Sequence, residues 1–246
     1  SYIPFVLLVA APIWVSAGVR GTATFMILGN ICTRSCGFCG VQTGRPDTVD
    51  WAEPEKVARS IKIMSIKHAV ITSVDRDDLP DQGTIIWTET VKAIRRMNPN
   101  TTLETLIPDF QGREDLLDRI VKVAPEVVSH NMETVRRLTR EVRIQAKYDR
   151  SLEALKYLKE QGVNRTKSGL MLGLGETEEE VIASMEDLRN AKVDIITLGQ
   201  YLQPSKKHLP VAEFITPEQF KKYEALGKDC LLYTSDAADD SLRGGR

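Results

Sequence analysis

Short apolar runs alternate with amphipathic segments along the chain from residue 22 onward. The apolar runs have the length and residue types of buried strands, and the amphipathic segments have helical period. The pattern predicts six strands, at 22–28, 68–73, 102–107, 126–129, 167–172 and 193–198. It predicts helices between them, at 54–67, 84–97, 113–123, 151–161 and 178–190.

Strands that alternate with helices in this way are typical of parallel βαβ units. Residues suited to chemistry or tight turns fall where the strands end: Cys32, 75–78, 108–109, 130–131, 173–176 and 200–201. In a β/α barrel the carboxyl ends of the strands carry the active site. We therefore expect an α/β fold, a partial (β/α)6 TIM-type barrel, with a doubly wound open sheet as the alternative.

The amino-acid composition and the distribution of charge limit the kinds of molecule that this chain is expected to bind. The 246 residues suit one domain, and 33 basic against 34 acidic residues give a net charge of −1. The charges are spread along the chain, so we expect neither a nucleic-acid partner nor a membrane partner. The segment 3–19 is apolar, but it is short for a membrane span, contains Pro4 and Pro12, and lacks a basic start.

Three cysteines stand close together, at Cys32, Cys36 and Cys39, with the spacing C-x3-C-x2-C. Three thiolates hold three corners of a 4Fe–4S cluster and leave the fourth iron open to a small molecule. This spacing is typical of radical S-adenosylmethionine (SAM) enzymes. A zinc site or spare thiols are the alternatives, and a disulfide is disfavoured because the fourth cysteine, Cys230, is distant.

Longer motifs extend the resemblance. They are RGTATFMILG at 20–29, CGVQTGRP at 39–46, TSVDRDDL at 72–79, LIPDFQG at 106–112, HNMETV at 130–135, KSGLMLGLGET at 167–177 and GQYLQPSKKHLP at 199–210. Together they resemble lipoyl synthase, a radical SAM family, over residues 20–228. We therefore expect a barrel domain of the radical SAM class at 21–228.

The resemblance implies a function and its cofactors. A 4Fe–4S cluster on Cys32, Cys36 and Cys39, the catalytic residues, would bind SAM at its open iron. Reductive cleavage of SAM would start hydrogen abstraction at C6 and C8 of an octanoyl chain on a carrier-protein lysine, and sulfur would be inserted at both carbons. The alternatives are a biotin-synthase-like sulfur-inserting enzyme and a non-catalytic remnant barrel.

Six further residues are candidate cofactor contacts: Phe38, Ser73, Arg76, Asp78, Asn131 and Glu133. Phe38 would shield the cluster or be a plain loop aromatic, and 75–78 would form a polar rim for SAM or a solvated turn. We expect His130 to be a structural histidine. Gly173 and Gly175 allow a close backbone approach or a strand-to-helix turn. Lys206, Lys207 and His208 would face an acidic carrier domain or be solvated charge.

The chain departs from the family at both ends. Lipoyl synthase carries an auxiliary 4Fe–4S cluster as its sulfur source, and the positions of its three cysteines hold Val6, Ala11 and Ala17. Residues 11–20 can be encoded by a DNA sequence that, read in a shifted frame, gives Cys-Pro-Asn-Met-Gly-Glu-Cys-Trp-Gly-Gln. This peptide closely matches the cysteine motif that the family has here. We therefore interpret 1–20 as an aberrant segment caused by a frameshift. Composition also changes abruptly at 229–246, which we interpret as a non-native tail.

The resemblance implies macromolecular partners as well. These are the octanoylated lipoyl domains of 2-oxoacid dehydrogenase E2 subunits, the glycine cleavage H protein, and reduced ferredoxin or flavodoxin as the electron donor. An oxygen-sensitive cluster favours the cytoplasm, or the mitochondrion in a eukaryote.

Overall fold

The computed structural model describes residues 14–17, 21–229 and 233–235. They form two compact units. The first holds the described residues up to Arg34, together with Val41–Ser129 and Gln161–Val163. The second holds Ser35–Gly40, His130–Glu160 and the described residues from Asn164 onward. Val6 and Ala11 lie outside the described residues, as does most of 1–20 and of 229–246.

A mostly parallel sheet forms the centre of the first unit. Its strands are β1 (Trp14–Ala17), β2 (Thr22–Ile27), β5 (His68–Ser73), β6 (Thr102–Leu106) and β7 (Val127–Ser129), in that order across the sheet. β1 pairs antiparallel with β2, and all the other pairings are parallel. Two short strands, β3 (Ile31–Cys32) and β4 (Gln42–Thr43), pair separately beside the cysteine loop.

Three helices accompany the strands of the first unit: α1 (Glu53–Ile63), α2 (Thr84–Met97) and α3 (Glu114–Val123). α1 begins at Glu53 and has Pro54 and two acids in its first turn, which suits the positive end of a helix dipole. It ends four residues before the predicted limit. Ser65 has a φ of 52°, outside the helical range, and the N–H of Lys67 donates to Gly21, which turns the chain into β5.

The second unit alternates helices and strands in the same manner. It contains α4 (Thr139–Val142), α5 (Tyr148–Glu160), β8 (Arg165–Leu172), α6 (Glu178–Asn190), β9 (Ile195–Gln200), α7 (Pro217–Asp229) and β10 (Tyr233–Ser235). β8, β9 and β10 are parallel neighbours. A capping box between Thr177 and Glu180 starts α6 and satisfies N–H groups of its first turn.

Apolar side chains from these elements form the core of the second unit, including Met132, Leu155, Leu170, Val181 and Met185. All six predicted strands are present. The last one is shifted by two residues, because the N–H of Val193 still bonds Leu188 of α6 and the Asp194 carboxylate accepts from Thr166. None of the helices in the described ranges is long and apolar enough to cross a membrane.

Candidate active site

The cysteine loop, residues 31–40, begins on β3 and carries all three clustered thiols. Cys32 is buried, whereas Cys36 and Cys39 are half-buried, and none of the three forms a disulfide. Within the part of the chain that the structure describes, no three His, Cys, Asp or Glu side chains are gathered around a single metal ion position. Assignment of the thiols to a cluster therefore depends on their spacing and chemistry.

The first half of the loop, Ile31–Arg34, is joined to the end of β5. Both the N–H and the hydroxyl of Thr33 donate to the carbonyl of Asp75, at 3.1 and 3.0 Å. The Thr33 hydroxyl also accepts from the N–H of Asp77 at 3.1 Å. One threonine thereby fixes the loop to the stretch that directly follows β5.

The sulfur of Cys32 receives two backbone hydrogen bonds. The N–H of Asp75 lies 3.3 Å from Sγ, and the N–H of Arg34 lies 3.4 Å from it. The Asp75 carboxylate oxygen lies 3.7 Å from the same sulfur. N–H donors to sulfur favour its negatively charged form and tune iron–sulfur sites. The two N–H donors fit a thiolate that ligates a cluster, whereas the contact with Asp75 is one in which the protonated thiol donates to the carboxylate.

Arg34 extends the same contact into the interior and is only 4% exposed. Its guanidinium forms a fork with Asp77, with Nε and Nη2 at 2.7 and 2.9 Å from the two carboxylate oxygens. Nη2 also lies 2.8 Å from the fully buried carboxylate of Asp109. Burial alone would lower the pKa of Arg34, but the bond to Asp77 and the charges of Asp75 and Asp109 raise it above its ordinary value.

Backbone hydrogen bonds and one histidine ring hold the second half of the loop, Ser35–Gly40. The N–H of Gly37 donates to Val142 at 2.9 Å, and the carbonyl of Gly37 accepts from Leu209 at 3.0 Å. His208 Nε2 lies 3.0 Å from the carbonyl of Cys39. A Cβ built on Gly37 would lie 3.0 Å from two carbons of Leu209, so this position is closely packed.

Two of the predicted cofactor contacts differ in their surroundings. Phe38 packs against the apolar core of the second unit, as a plain loop aromatic does, and its role as a cluster shield stays a prediction. Ser73 ends β5 with a buried hydroxyl that has no hydrogen-bond partner among the described residues. A buried unpartnered hydroxyl costs free energy unless another group satisfies it, so Ser73 suits a ligand contact.

Arg76 and Asp78 bond mainly to their own part of the chain. Arg76 is buried and forms a fork with both carboxylate oxygens of Asp78, at 2.9 Å each. It also donates to the carbonyls of Leu28 and Asp47. The bond from Arg76 lowers the pKa of Asp78. The stretch 75–78 is therefore bound to the protein, and the alternative of a solvated turn is wrong for Arg76.

Asn131 and Glu133 follow β7 and belong to the second unit. The backbone of Glu133 bridges to β8, since its N–H donates to Gly169 and its carbonyl accepts from Met171. Glu133 has a φ of 64°, a strained conformation for a residue with a side chain. Burial raises the pKa of its carboxyl, against the charge of Arg143 and a hydrogen bond from Asn131. The two residues therefore form one polar group, and their contact with SAM stays a prediction.

The remaining candidates have structural surroundings. His130 is buried and bonds the hydroxyl of Ser151 at 2.8 Å, which confirms the expected structural histidine. Gly173 has a φ of 97°, and a Cβ there would lie 2.4 Å from the Gln200 amide and from the Glu213 carbonyl. Lys206 and Lys207 are exposed. The expectation for His208 needs correction, because its ring bonds the cysteine loop and Ser205.

Sequence reasoning missed the two sets of contacts that hold the cysteine loop. A basic residue between two cluster cysteines, followed by acidic residues at two strand ends, was a signal for the buried bonds of Arg34. No signal pointed to the bond between His208 and Cys39, because the two residues are 169 positions apart.

Residues 26–188 match the family model of the radical SAM superfamily, so the fold and the cysteine loop define a radical SAM protein. A lipoyl synthase from Flavobacterium psychrophilum is 83% identical over 210 residues, which cover 85% of this chain and 72% of that relative. A mitochondrial lipoyl synthase from Nematostella vectensis is 81% identical with the same coverage. The chain belongs to the lipoyl synthase family.

Solved structures agree with the predicted fold class. The chain resembles HydG, a maturase of the FeFe-hydrogenase, with a TM-score of 0.69 and 17% identity over 87% of this chain. It resembles coproporphyrinogen III oxidase from Escherichia coli, a radical SAM enzyme, with a TM-score of 0.61 and 14% identity over 86% of this chain. The chain spans about half the length of these two proteins. The α/β fold of the radical SAM barrel class is thereby confirmed.

Proposed function

We propose that this chain is a lipoyl synthase that inserts sulfur at C6 and C8 of an octanoyl group bound to a carrier-protein lysine. The observation that carries the proposal is 83% identity over 210 residues to a protein of that name, together with the intact cysteine spacing. The same identity favours this function over a biotin-synthase-like enzyme. Residues 21–228 would form the catalytic domain.

Cys32, Cys36 and Cys39 would hold a 4Fe–4S cluster with SAM at its open iron. The thiol set and the two N–H donors on the sulfur of Cys32 support this assignment. When bound, the cluster supplies the electron for reductive cleavage of SAM. The protein contributes binding, orientation and exclusion of water.

The six candidate cofactor contacts differ in how well the structure supports them. Ser73 has the strongest support, because its buried hydroxyl needs a partner. Asn131 and Glu133 present polar groups after a strand end, where radical SAM ligands are expected. Arg76 and Asp78 bond each other, which supports a role in shaping the site. Phe38 packs against the apolar core of the second unit, which gives its role as a cluster shield the least support.

We further propose that this chain, as written, lacks the auxiliary cluster. It contains four cysteines, and Cys230 is the only one outside the loop. Val6, Ala11 and Ala17 stand where the resemblance expects three more. Resequencing the source gene tests the frameshift hypothesis for 1–20: in-frame cysteine codons at these sites support it, and their absence contradicts it. The assignment of 229–246 as a non-native tail is tested by the same sequence.

The partners follow from the proposed reaction. They are octanoylated lipoyl domains of 2-oxoacid dehydrogenase E2 subunits, the glycine cleavage H protein, and reduced ferredoxin or flavodoxin. A mitochondrial relative at 81% identity supports the mitochondrion as the compartment in a eukaryote, with the cytoplasm as the bacterial counterpart.

The test is anaerobic reconstitution of the full chain, followed by iron quantification and assay with SAM, a reductant and an octanoylated lysyl peptide. We expect about four irons per chain, with formation of 5′-deoxyadenosine and no lipoyl product. About eight irons, or lipoyl product, would show that other ligands build an auxiliary cluster. Absence of iron would favour a non-catalytic remnant. Cys32→Ser should lose the iron, and Cys230→Ser should keep it.

A further inference from the structure

Arg34 lies between two of the clustered cysteines, yet its side chain points away from solvent. The guanidinium makes three hydrogen bonds to two carboxylates and is almost fully buried. Burying a charge is costly unless it is paired and hydrogen-bonded, and here both conditions are met. Because burial of a guanidinium carries this desolvation cost, we expect the buried side chain of Arg34 to have a structural role in the cysteine loop.

The two carboxylates belong to different parts of the first unit. Asp77 follows β5, and Asp109 follows β6 and also accepts the N–H of Gln111 at 3.0 Å. β5 and β6 are parallel neighbours in the sheet. Arg34 therefore fixes the cysteine loop to the carboxyl ends of two adjacent strands at once.

The contacts of Arg34 also affect the position of the Cys32 sulfur, through the backbone and through hydrogen bonds. The N–H of Arg34 itself donates to Sγ, so the backbone that carries the guanidinium also contacts the sulfur. The second N–H donor, that of Asp75, is two residues from Asp77. Displacement of the fork from Asp77 would thus loosen both N–H donors to Sγ.

We propose that Arg34 is the positioning residue of Cys32: its bonds to Asp77 and Asp109 place the thiol under its two backbone N–H donors before any metal arrives. The inference deepens the proposed function and rests on it for the consequence in cluster binding. The placement of the thiol itself is independent of which reaction the protein catalyses.

The geometry requires an arginine. Nε and Nη2 contact the two oxygens of Asp77 side by side, while Nη2 also reaches Asp109. A lysine carries the same charge on a single nitrogen and lacks the planar fork. Arg34→Lys should therefore restore the charge of the site without restoring the placement of Cys32, which separates geometry from charge.

The first test measures thiol alkylation in the metal-free full chain, with peptide mapping to follow each cysteine. We expect Arg34→Gln to raise the alkylation rate of Cys32 about ten-fold, because buried groups react through local opening. The rates of Cys36 and Cys39 should change less than about two-fold. Arg34→Lys should raise the Cys32 rate nearly as much as Arg34→Gln does, because it keeps the charge but not the fork. Arg113→Gln, which removes an exposed fork to Asp115 and a bond to the carbonyl of Pro80 in the same unit, is the control and should change none of them.

If Arg34→Gln does not fold, a milder substitution can be used to test the same contact. Asp77→Asn keeps one acceptor oxygen, and it should raise the Cys32 rate several-fold while the circular dichroism stays unchanged. The proposal is overturned if both Asp77→Asn and Arg34→Lys leave the Cys32 rate at the wild-type value. It is also overturned if all three thiols become equally reactive in a folded variant, which would indicate general loosening.

The second readout follows the reconstituted protein by electron paramagnetic resonance. We expect Arg34→Lys to bind iron but to show an altered spectrum of the reduced cluster and a higher KM for SAM. Unchanged spectra in a variant with a reactive Cys32 would overturn the link to the cluster. If the wild-type chain binds no iron at all, the proposed function fails while the alkylation result still decides the role of Arg34.

Discussion

The two halves of the cysteine loop are held by different physical means. Ile31–Arg34 is held by an ion network, with Arg34 between Asp77 and Asp109, in addition to the hydrogen bonds of Thr33. Ser35–Gly40 is held without any carboxylate, by the backbone bonds of Gly37 and the ring of His208. One short loop thus combines an ion network with a set of ordinary hydrogen bonds.

The difference predicts unequal resistance to local opening. Removal of one partner from a buried ion pair leaves an uncompensated charge and costs several kcal/mol, whereas loss of one neutral hydrogen bond costs about 1 kcal/mol. We therefore expect the segment around Cys32 to open locally less often than the segment that carries Cys36 and Cys39. The variants below test whether the two halves of the loop differ in their resistance to local opening.

The largest effect is expected from Asp109→Ala. It leaves the buried guanidinium of Arg34 paired with Asp77 and Asp75 but removes its charge-assisted hydrogen bond to Asp109, so the free energy of unfolding should fall by about 1.5–3 kcal/mol. Urea denaturation of the metal-free chain measures the change. Asp115→Ala, which removes an exposed partner of Arg113, should cost much less, because water screens an exposed ion pair. If the two variants lost equal free energy of unfolding, the ion network of Arg34 would not stabilise the first half of the loop more than an exposed ion pair does.

Gly37→Ala tests the packing of the second half. Its Cβ would lie 3.0 Å from Cγ and Cδ1 of Leu209, so we expect a loss of about 1–3 kcal/mol in thermal or urea unfolding. Gly40→Ala is the control, since its Cβ would lie at an ordinary 3.4 Å from Pro204. Addition of Leu209→Ala should recover part of the loss. A double variant with strictly additive costs would contradict the contact.

His208→Ala should have a smaller and local effect. The carbonyl of Cys39 only accepts, so Nε2 must carry the proton of this bond. Its loss should cost about 1 kcal/mol and raise the alkylation rate of Cys39 about five-fold, with Cys32 unchanged. Lys207→Ala, an exposed neighbour, should leave both thiols unchanged. A matching rise at Cys32 would show that the two halves open together.

The smallest effect concerns the turn that precedes the loop. The Glu53 carboxylate accepts the N–H of Leu28 at 2.8 Å. Burial raises the pKa of Glu53 above 4.5, against its hydrogen bonds with Leu28 and Gly29. The folded chain therefore binds this proton more tightly than the unfolded chain, and the contribution of Glu53 to stability falls as pH rises from 4.5 through the raised pKa.

Glu53→Gln should accordingly show a free energy of unfolding that depends less on pH over that window than the wild type does. Urea titrations at several pH values from 4.5 to neutrality measure the two slopes. Glu55→Gln, which changes an exposed carboxylate in the same helical turn, is the control. Parallel curves for Glu53→Gln and the wild type would show that the carboxylate is equally solvated in both states.

Elements with strong periodicity were predictable to the residue. β5, α2 and α6 have the predicted bounds, because a buried apolar run or a clear helical stripe ends at a distinct signal in each case. α7 was missed although its signals are present. Thr216 accepts the N–H of Gln219, and Pro217 is the first helical residue. The short α4 has too few residues to show a period.

The site was predictable in its chemistry and less so in its contacts. Spacing alone pointed to Cys32, Cys36 and Cys39, because a cluster loop is a local motif. The partners of Arg34 are 43 and 75 residues further along the chain. The sequence showed a basic residue and several acidic residues at strand ends, but which of them pair depends on strand order and register. The bond between His208 and Cys39 was missed for the same reason.

The distance along the chain between Arg34 and its partners also sets a time order during biosynthesis. A ribosome makes Arg34 well before it makes Asp77, and Asp109 comes 75 residues after Arg34. At about 5–20 residues per second, several seconds pass before the second carboxylate exists outside the exit tunnel. During that interval Cys32 has no fixed position on the nascent chain. Delivery of iron and sulfide should therefore follow translation of at least the first half of the protein, and a factor that loads the loop should prefer released or nearly complete chains.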